Sequence, residues 1–509
     1  MSQKLDATVA FNSDTKISDE PVEVLVKANM LEYNKPKSLS VMKQRRLIRH
    51  NSTLQSYTAG QTMSIQFNNS DDLIAAGSSV LYFSIYTDQA AHFGKGSGLN
   101  LFEESTLVHR TGVEINREVK KNVYMRNMIY WEKDPDWIAK NGDLMMLNKK
   151  DSTVARTELK AFYDQVNVAS TAAAQLTAYD VYAKTTRAAL DVFALAGAVS
   201  AEASASSTTV FAAVQAYLDT QDLHFEDSMY ESVSVSSIAP TRIGIPLSMV
   251  NGFFATNKMI PAFLTSGLKL NLKLDTAMNA FISKVVGSPV TTYSVSNVYI
   301  AADSFLTNDQ MIQELEDRSS SGDLVFSFPA YHSVPKTISS TALHMTAEHA
   351  TAVTLMGSVV HRQTVQLNND AFDSLATEGA AAVSSFQYRL GSQYYPPNQI
   401  TDSKEYYHWT LSAMGKLGMP SIDYTAFLGT DLTTVTKWGE WTQAIGHSVI
   451  PVSLERSNIL NLSGLPVSGL QALALDATFT TSQNRQIDLF INHVKIVKPY
   501  LYSKLLIRQ

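Results

Sequence analysis

The chain has 509 residues, more than one ordinary core holds, which points to two or more domains; all-β domains often run to about 200–250 residues each. Hydrophobic residues make up 45% and charged residues 17%, and a net charge of −6 over this length excludes a polyanion mimic and a nucleic-acid coat that works by charge alone. There are no cysteines, which removes disulfides, thiolate zinc sites, iron–sulfur clusters and a cysteine nucleophile together and fits folding in a reducing compartment.

The opening stretch MSQKLDATVAFNSD has no apolar h-region. The longest apolar run, Val192 to Val199, is far below the roughly 20 residues of a membrane span, so a soluble, intracellularly folded chain is expected. Residues 1–55 read as an N-terminal basic arm. Within it, NKPKSLSVMKQRRLIRHNS carries Lys35, Lys37, Lys43, Arg45, Arg46 and Arg49 with no acid among them. Such a run suits a solvated loop or an arm that docks on an anionic partner. From residue 56 the pattern turns strand-like. Met63, Ile65 and Phe67 share one face, Leu81, Phe83 and Ile85 another, and Thr111-Gly112 marks a hairpin or bulge in STLVHRTGVEINREV. Short strands parted by Gly, Asn, Asp and Ser predict a sandwich.

Residues 155–222 are rich in Ala, too small to fill a sandwich core, and are expected to form an insertion of helix and loop outside the β framework. Strands resume at SMYESVSVSSIAPTRIGIPL, a short helix follows near SMVNGFFATN, and TTYSVSNVYIAADSF closes the first half. Asn308 can cap a helix through DQMIQELEDR that ends at Ser319-Ser320-Ser321-Gly322, a plausible domain junction. Strands return at DLVFSFPAYHSV, and Asp402 with Glu405 begins a helix that Gly418 follows. The resulting division is a first β domain over 56–306, a linker helix over 307–322 and a second β domain over 323–509.

Two stretches repeat one another across that division. FLTSGLKLNLKLD (263–275) sets Leu268, Leu270, Leu272 and Leu274 on one face of a strand; PVSGLQALALD (466–476) has the same Ser-Gly-Leu start but places Ala472 and Ala474 at polar positions. Each is followed by a Val-x-Ile strand that ends its half, which suggests a duplicated β domain whose second copy of this strand is covered on both faces.

The chemistry-bearing patterns fall short of a catalytic site. HMTAEH holds His344, Glu348 and His349 one residue off the H-x-x-E-H zinc spacing, in strand rather than helix. FGKGSG (93–98) has neither Walker nor dinucleotide spacing. YWEKDPDW (130–137) suits a sugar-stacking ledge or, more simply, a packed loop beside a strand, and QYYPPNQ (393–399) reads as a polyproline-type turn. No catalytic residue, cofactor or metal is expected.

In their order and spacing, GSGLNLFEESTLVHRTGVEINREV (96–119), IPLSMVNGFFATNKMIPAFLTSGLKLNLKL (245–274), YSVSNVYIAADSF (293–305), FQYRLGSQYYPPNQI (386–400) and SLERSNILNLSGLP (453–466) resemble the double jelly-roll major capsid proteins of polinton-like viruses and virophages. That resemblance implies an all-β fold of two tandem eight-stranded jelly rolls with short helices and the Ala-rich insertion in the first lobe. It also implies a non-enzymatic virion protein whose pseudo-hexameric homotrimers tile an icosahedral shell. Its partners would be copies of itself, penton and minor capsid proteins, and packaged DNA reached through Lys43, Arg45, Arg46 and Arg49 on the inner face. The insertion would stand on the outer surface. Two rivals are a carbohydrate-binding or carbohydrate-active double β-sandwich, with YWEKDPDW and YYPPNQ as sugar platforms, and a non-viral intracellular scaffold or adhesin-like β protein.

Overall fold

A computed structural model describes residues 42–68, 72–89, 91–93, 97–147, 233–256, 258–261, 267–283, 290–307, 309–362, 383–417, 422, 424, 427, 448–454, 464–467, 472–500 and 504–508. Residues 1–41 of the arm, the Ala-rich insertion 155–222, the cap Asn308, Gly418 and Ser468–Leu470 lie outside them.

Besides the short strands Ser56–Thr58, Ala91–His92, Met259–Ile260 and Ile282–Ser283, eight main strands build the first lobe: β1 (Met42–Asn51), β2 (Thr62–Gln66), β3 (Asp72–Thr87), β4 (Phe102–Val108), β5 (Glu114–Val119), β6 (Thr241–Pro246), β7 (Lys269–Leu274) and β8 (Tyr293–Thr307). They pair antiparallel in two sheets, ordered β1-β8-β3-β6 and β2-β7-β4-β5. Helix α1 (Lys121–Glu132) follows β5, and α2 (Pro135–Met145) follows α1. After the linker helix α3 (Asp309–Ser321) come β9 (Phe326–Ile338), β10 (Ala342–Ala347), β11 (His349–Arg362), β12 (Val383–Leu390), β13 (Gln393–Ile400), helix α4 (Ser403–Ala413), β14 (Ile450–Ser453), β15 (Leu473–Phe479) and β16 (Arg485–Tyr500). Their sheets run β9-β16-β11-β14 and β10-β15-β12-β13. Each number is the first-lobe number plus eight, so the two lobes trace one path twice. The fold is a double jelly roll.

The repeated Ser-Gly-Leu segments lead into corresponding strands, β7 and β15. Alternation puts Leu270, Leu272 and Leu274 fully inside, each contributing about 1.5–3 kcal/mol by burial. Lys273 reaches Glu103 on the outer face (2.7 Å). Gly267 turns the chain into β7 at φ +78°, where any Cβ would also meet Arg110 Cβ at 2.9 Å, so the residue must be glycine. In β15 the inner face holds Leu473, Leu475, Ala477 and Phe479, and on the outer face Ala474 is buried while Ala472 is half-buried. The second copy is therefore covered on both faces over the start of its length. The β4–β5 hairpin turns at Gly112 (φ +83°), with the His109 N–H donating to the Val113 carbonyl.

Three expectations change. The first sheet begins at Met42 rather than residue 56, because the basic run alternates as β1 and pairs with β8 from Met42 to Asn51. YWEKDPDW is no loop beside a strand: its residues belong to α1 and α2, parted only by Lys133 and Asp134. QYYPPNQ is no free turn: it is the edge strand β13, with a cis Tyr395-Pro396 peptide, and an edge is where a sheet tolerates proline.

Candidate functional site: the seam and the bare face

The lobes meet along a buried seam, and the buried apolar residues of both join in one cluster across it. From the first lobe come the end of β5, helix α1 and the 3-10 turn at Gly252–Ala255. From the second come β9 and β16, by Tyr331, Phe490, Asn492 and Asp488 on the outer face and, near the other end, by Phe328 and Lys495 of the opposite face. Lys120, in the left-handed region at φ 57°, breaks the strand so that α1 leaves β5 sharply and lies against the other lobe.

The apolar part is aromatic. The Tyr124 ring stacks on Tyr331 (centroids 4.1 Å, 13° between planes), with Phe490 edge-on to both. Phe253 sits edge-on to Phe328 at 5.3 Å, and Trp131 to Phe427 at 6.2 Å. Such pairs add roughly 0.5–1.5 kcal/mol each beyond their burial. The Tyr124 hydroxyl donates to Glu132 (2.9 Å) and accepts from Asn492 Nδ2 (3.2 Å). Burial drives the hydroxyls of Tyr124 and Tyr331 well above the usual tyrosine range.

Beside the rings runs a buried polar lattice. Glu118 accepts from Lys121 Nζ (2.5 Å), the Gly252 N–H (2.8 Å) and Asn116 Nδ2 (2.9 Å), and Lys495 of the second lobe donates to Asn116 Oδ1 (3.2 Å). Burial lowers the Lys495 ammonium below the ordinary lysine range, while Glu114 and Glu118 act the other way. Lys120 reaches the fully buried Asp488 at 3.5 Å. Desolvation offsets much of the Coulomb gain in such pairs, so the rings supply the adhesion and the charges fix the orientation. Gly252 shows how close the lobes come: a Cβ there would lie 2.0 Å from the Pro329 carbonyl oxygen.

The matching sheet of the first lobe, β1-β8-β3-β6, has no lobe against its outer face among the described residues; only α2 packs there, with Leu144 over Gly244 at the β6 edge. Lys43, Arg45, Leu47 and Arg49 alternate onto that face. Arg49 lies 3.8 Å over the Tyr299 ring, and Arg242 of β6 lies over both Tyr299 (5.1 Å) and Tyr82 (5.5 Å). Arg242 also donates to the Tyr299 hydroxyl at 2.6 Å. Arg45 holds Asp303 bidentately (2.8 and 2.7 Å), keeping that carboxyl below its usual range, and Lys43 reaches Asp309 at 3.5 Å. Leu47 is 71% exposed among these charges. The structure thus gathers Lys43, Arg45 and Arg49 on one face, engages two of them with acids, and puts Arg46 on the opposite side of the strand.

The other sequence candidates disperse. Trp131, half of the supposed sugar ledge, is 1% exposed and spent on the seam. His344 pairs with Asp476 at 2.5 Å on the β10–β15 ladder. Among the described residues no group of three or more His, Cys, Asp or Glu could hold a metal, and no helix is long and apolar enough to cross a membrane.

No family model matches the chain, and no curated protein sequence does. Solved structures do. A chain in the cryo-EM structure of the Sputnik virophage is 8% identical, with 97% of this chain and 93% of that chain covered and a TM-score of 0.52. PBCV-1 VP54, as fitted into a reconstruction of Sputnik, is 11% identical over 92% of this chain and 97% of that one (TM-score 0.47). The mavirus major capsid protein is 10% identical over 97% and 95% (TM-score 0.45). The first of these likenesses is one of fold along nearly the whole chain.

Proposed function

We propose that this protein is a major capsid protein, a structural and non-enzymatic component of a virion shell, and that it assembles as a homotrimer with a pseudo-hexagonal outline. The observation that carries this is the duplication itself: one eight-strand path, traced twice and joined side by side through a buried seam, in a fold shared along 97% of the chain with a chain of a virophage particle. A single jelly roll already closes its own core. Welding two of them edge to edge serves tiling, because three such chains offer six similar lobes around one axis. In a shell the first partners are further copies of the chain, within and between trimers, with penton and minor capsid proteins at positions that trimers cannot fill.

Mass photometry and negative-stain microscopy of the purified protein test this. Trimers with hexagonal outline, or closed shells, are expected. A monomer at all concentrations and salts that binds glycans would overturn the proposal in favour of the carbohydrate reading.

A further inference from the structure

Within one chain the first lobe offers β5 and α1, and the second lobe receives them on β9-β16, α1 on its outer face. This contact is head-to-tail: the surface offered and the surface that receives differ. A contact of that kind leaves one of each unused. The unused receiving surface is the part of the outer face of β1-β8-β3-β6 that α2 leaves open, and the unused offering surface is β13 with the exposed side of α4, whose other side packs on Phe427 through Tyr406 and Tyr407; α4 follows β13 as α1 follows β5.

Both unused surfaces are exposed and chemically matched. The receiving face carries Arg49 and Arg242, both exposed on their tyrosines, and Leu47 at 71% exposure. The offering surface carries Tyr394, 48% exposed, and the acids Asp402 and Glu405 in and before the first turn of α4. The seam inside the chain carries both senses: Lys120, at the start of α1, meets Asp488 of the receiving sheet, while Lys495 of that sheet lies near Glu114 and Glu118 of β5.

We infer that the arginine–tyrosine face of the first lobe is the docking surface for the second lobe of a neighbouring copy, through β13 and α4. The inference rests on the capsid proposal and deepens it by naming the two surfaces that close the ring. Repeating a head-to-tail contact either closes a ring or grows a filament, and three chains closing use every bare sheet and every free helix.

The absence of native cysteine makes the test clean. Leu47→Cys is combined with either Tyr394→Cys or His408→Cys, and each pair is treated with a short bismaleimide. At least one pair should give a covalent ladder that stops at three chains, while the control pair of Leu47→Cys with Val113→Cys should not. If neither pair links above the control although the protein sizes as a trimer, the inference falls and the capsid proposal stands. If the protein is a monomer throughout, both fall. As a second measurement, Arg49→Glu with Arg242→Glu should weaken association by about tenfold or more. Unchanged trimers that instead lose retention on single-stranded DNA would hand this face to nucleic acid and overturn the inference.

Discussion

The sheets β1-β8-β3-β6 and β9-β16-β11-β14 share a path but not a fate. On the second, the outer face carries Tyr331, Phe490, Asn492 and Asp488 beneath another lobe, with Asp488 wholly buried. On the first, the same layer of the fold carries exposed arginines stacked on tyrosines. Stacked guanidinium groups keep such a face soluble, since the charge stays hydrated and the ring beneath is partly shielded. Packed phenyl rings could not remain exposed in that way. The difference separates a joint made during folding from a surface left open after it.

The comparison breaks most sharply at the stack. Tyr124→Ala removes the ring that packs on both Tyr331 and Phe490 and should cost about 3–5 kcal/mol, read as a large fall in thermal midpoint. Tyr299→Ala on the bare face should cost far less; equal losses would mean the two faces are covered alike. Gly252→Ala comes next. Its Cβ would drive into the Pro329 carbonyl, so the lobes must part locally at about 1–3 kcal/mol, with faster proteolysis between them.

Acid acts on both lobes. His50 and His493 are each held by burial at about 4 against 6.5, with His349 and Lys495 adding to the effect at His493. Above pH 6.5 neither state takes the proton. Between 6.5 and 4 only the unfolded chain does, so stability is lost as pH falls through that window, by roughly 1–3 kcal/mol per histidine. Thermal midpoints from pH 7 to 4.5 should show this slope, and His493→Gln should flatten it. The smallest effect belongs to Leu47→Ser, which should leave the stability of the isolated chain within about 0.5 kcal/mol.

The repeat was legible where period-two patterning survived, as in β7 and β15, because each has one face in a core. Helix α1 was not. It lies between two lobes and buries Lys121, Asn122, Arg126 and Asn127 together with its apolar residues, so it has no polar face to set the helical period. Strand β1 was hidden because charges on its outer face mask an alternation that only His50, buried against Phe67, announces. The YYPP segment misled for another reason: proline argues against a central strand, and β13 lies at an edge. Gly252 gave no sequence signal, since the carbonyl it must admit comes from a residue 77 positions away in the other lobe.

Helix α3 has a consequence for the order of events. Its 13 residues span about 20 Å and tether the second lobe to the first, so the seam closes at a high effective concentration and loses no translational freedom. The same style of contact between separate chains must overcome that loss, about 4–15 kcal/mol. In the proposed assembly the tether sets a sequence in time: each chain would complete its two lobes before it meets another. Joints between copies would then stay reversible at concentrations where the seam within a chain stays closed.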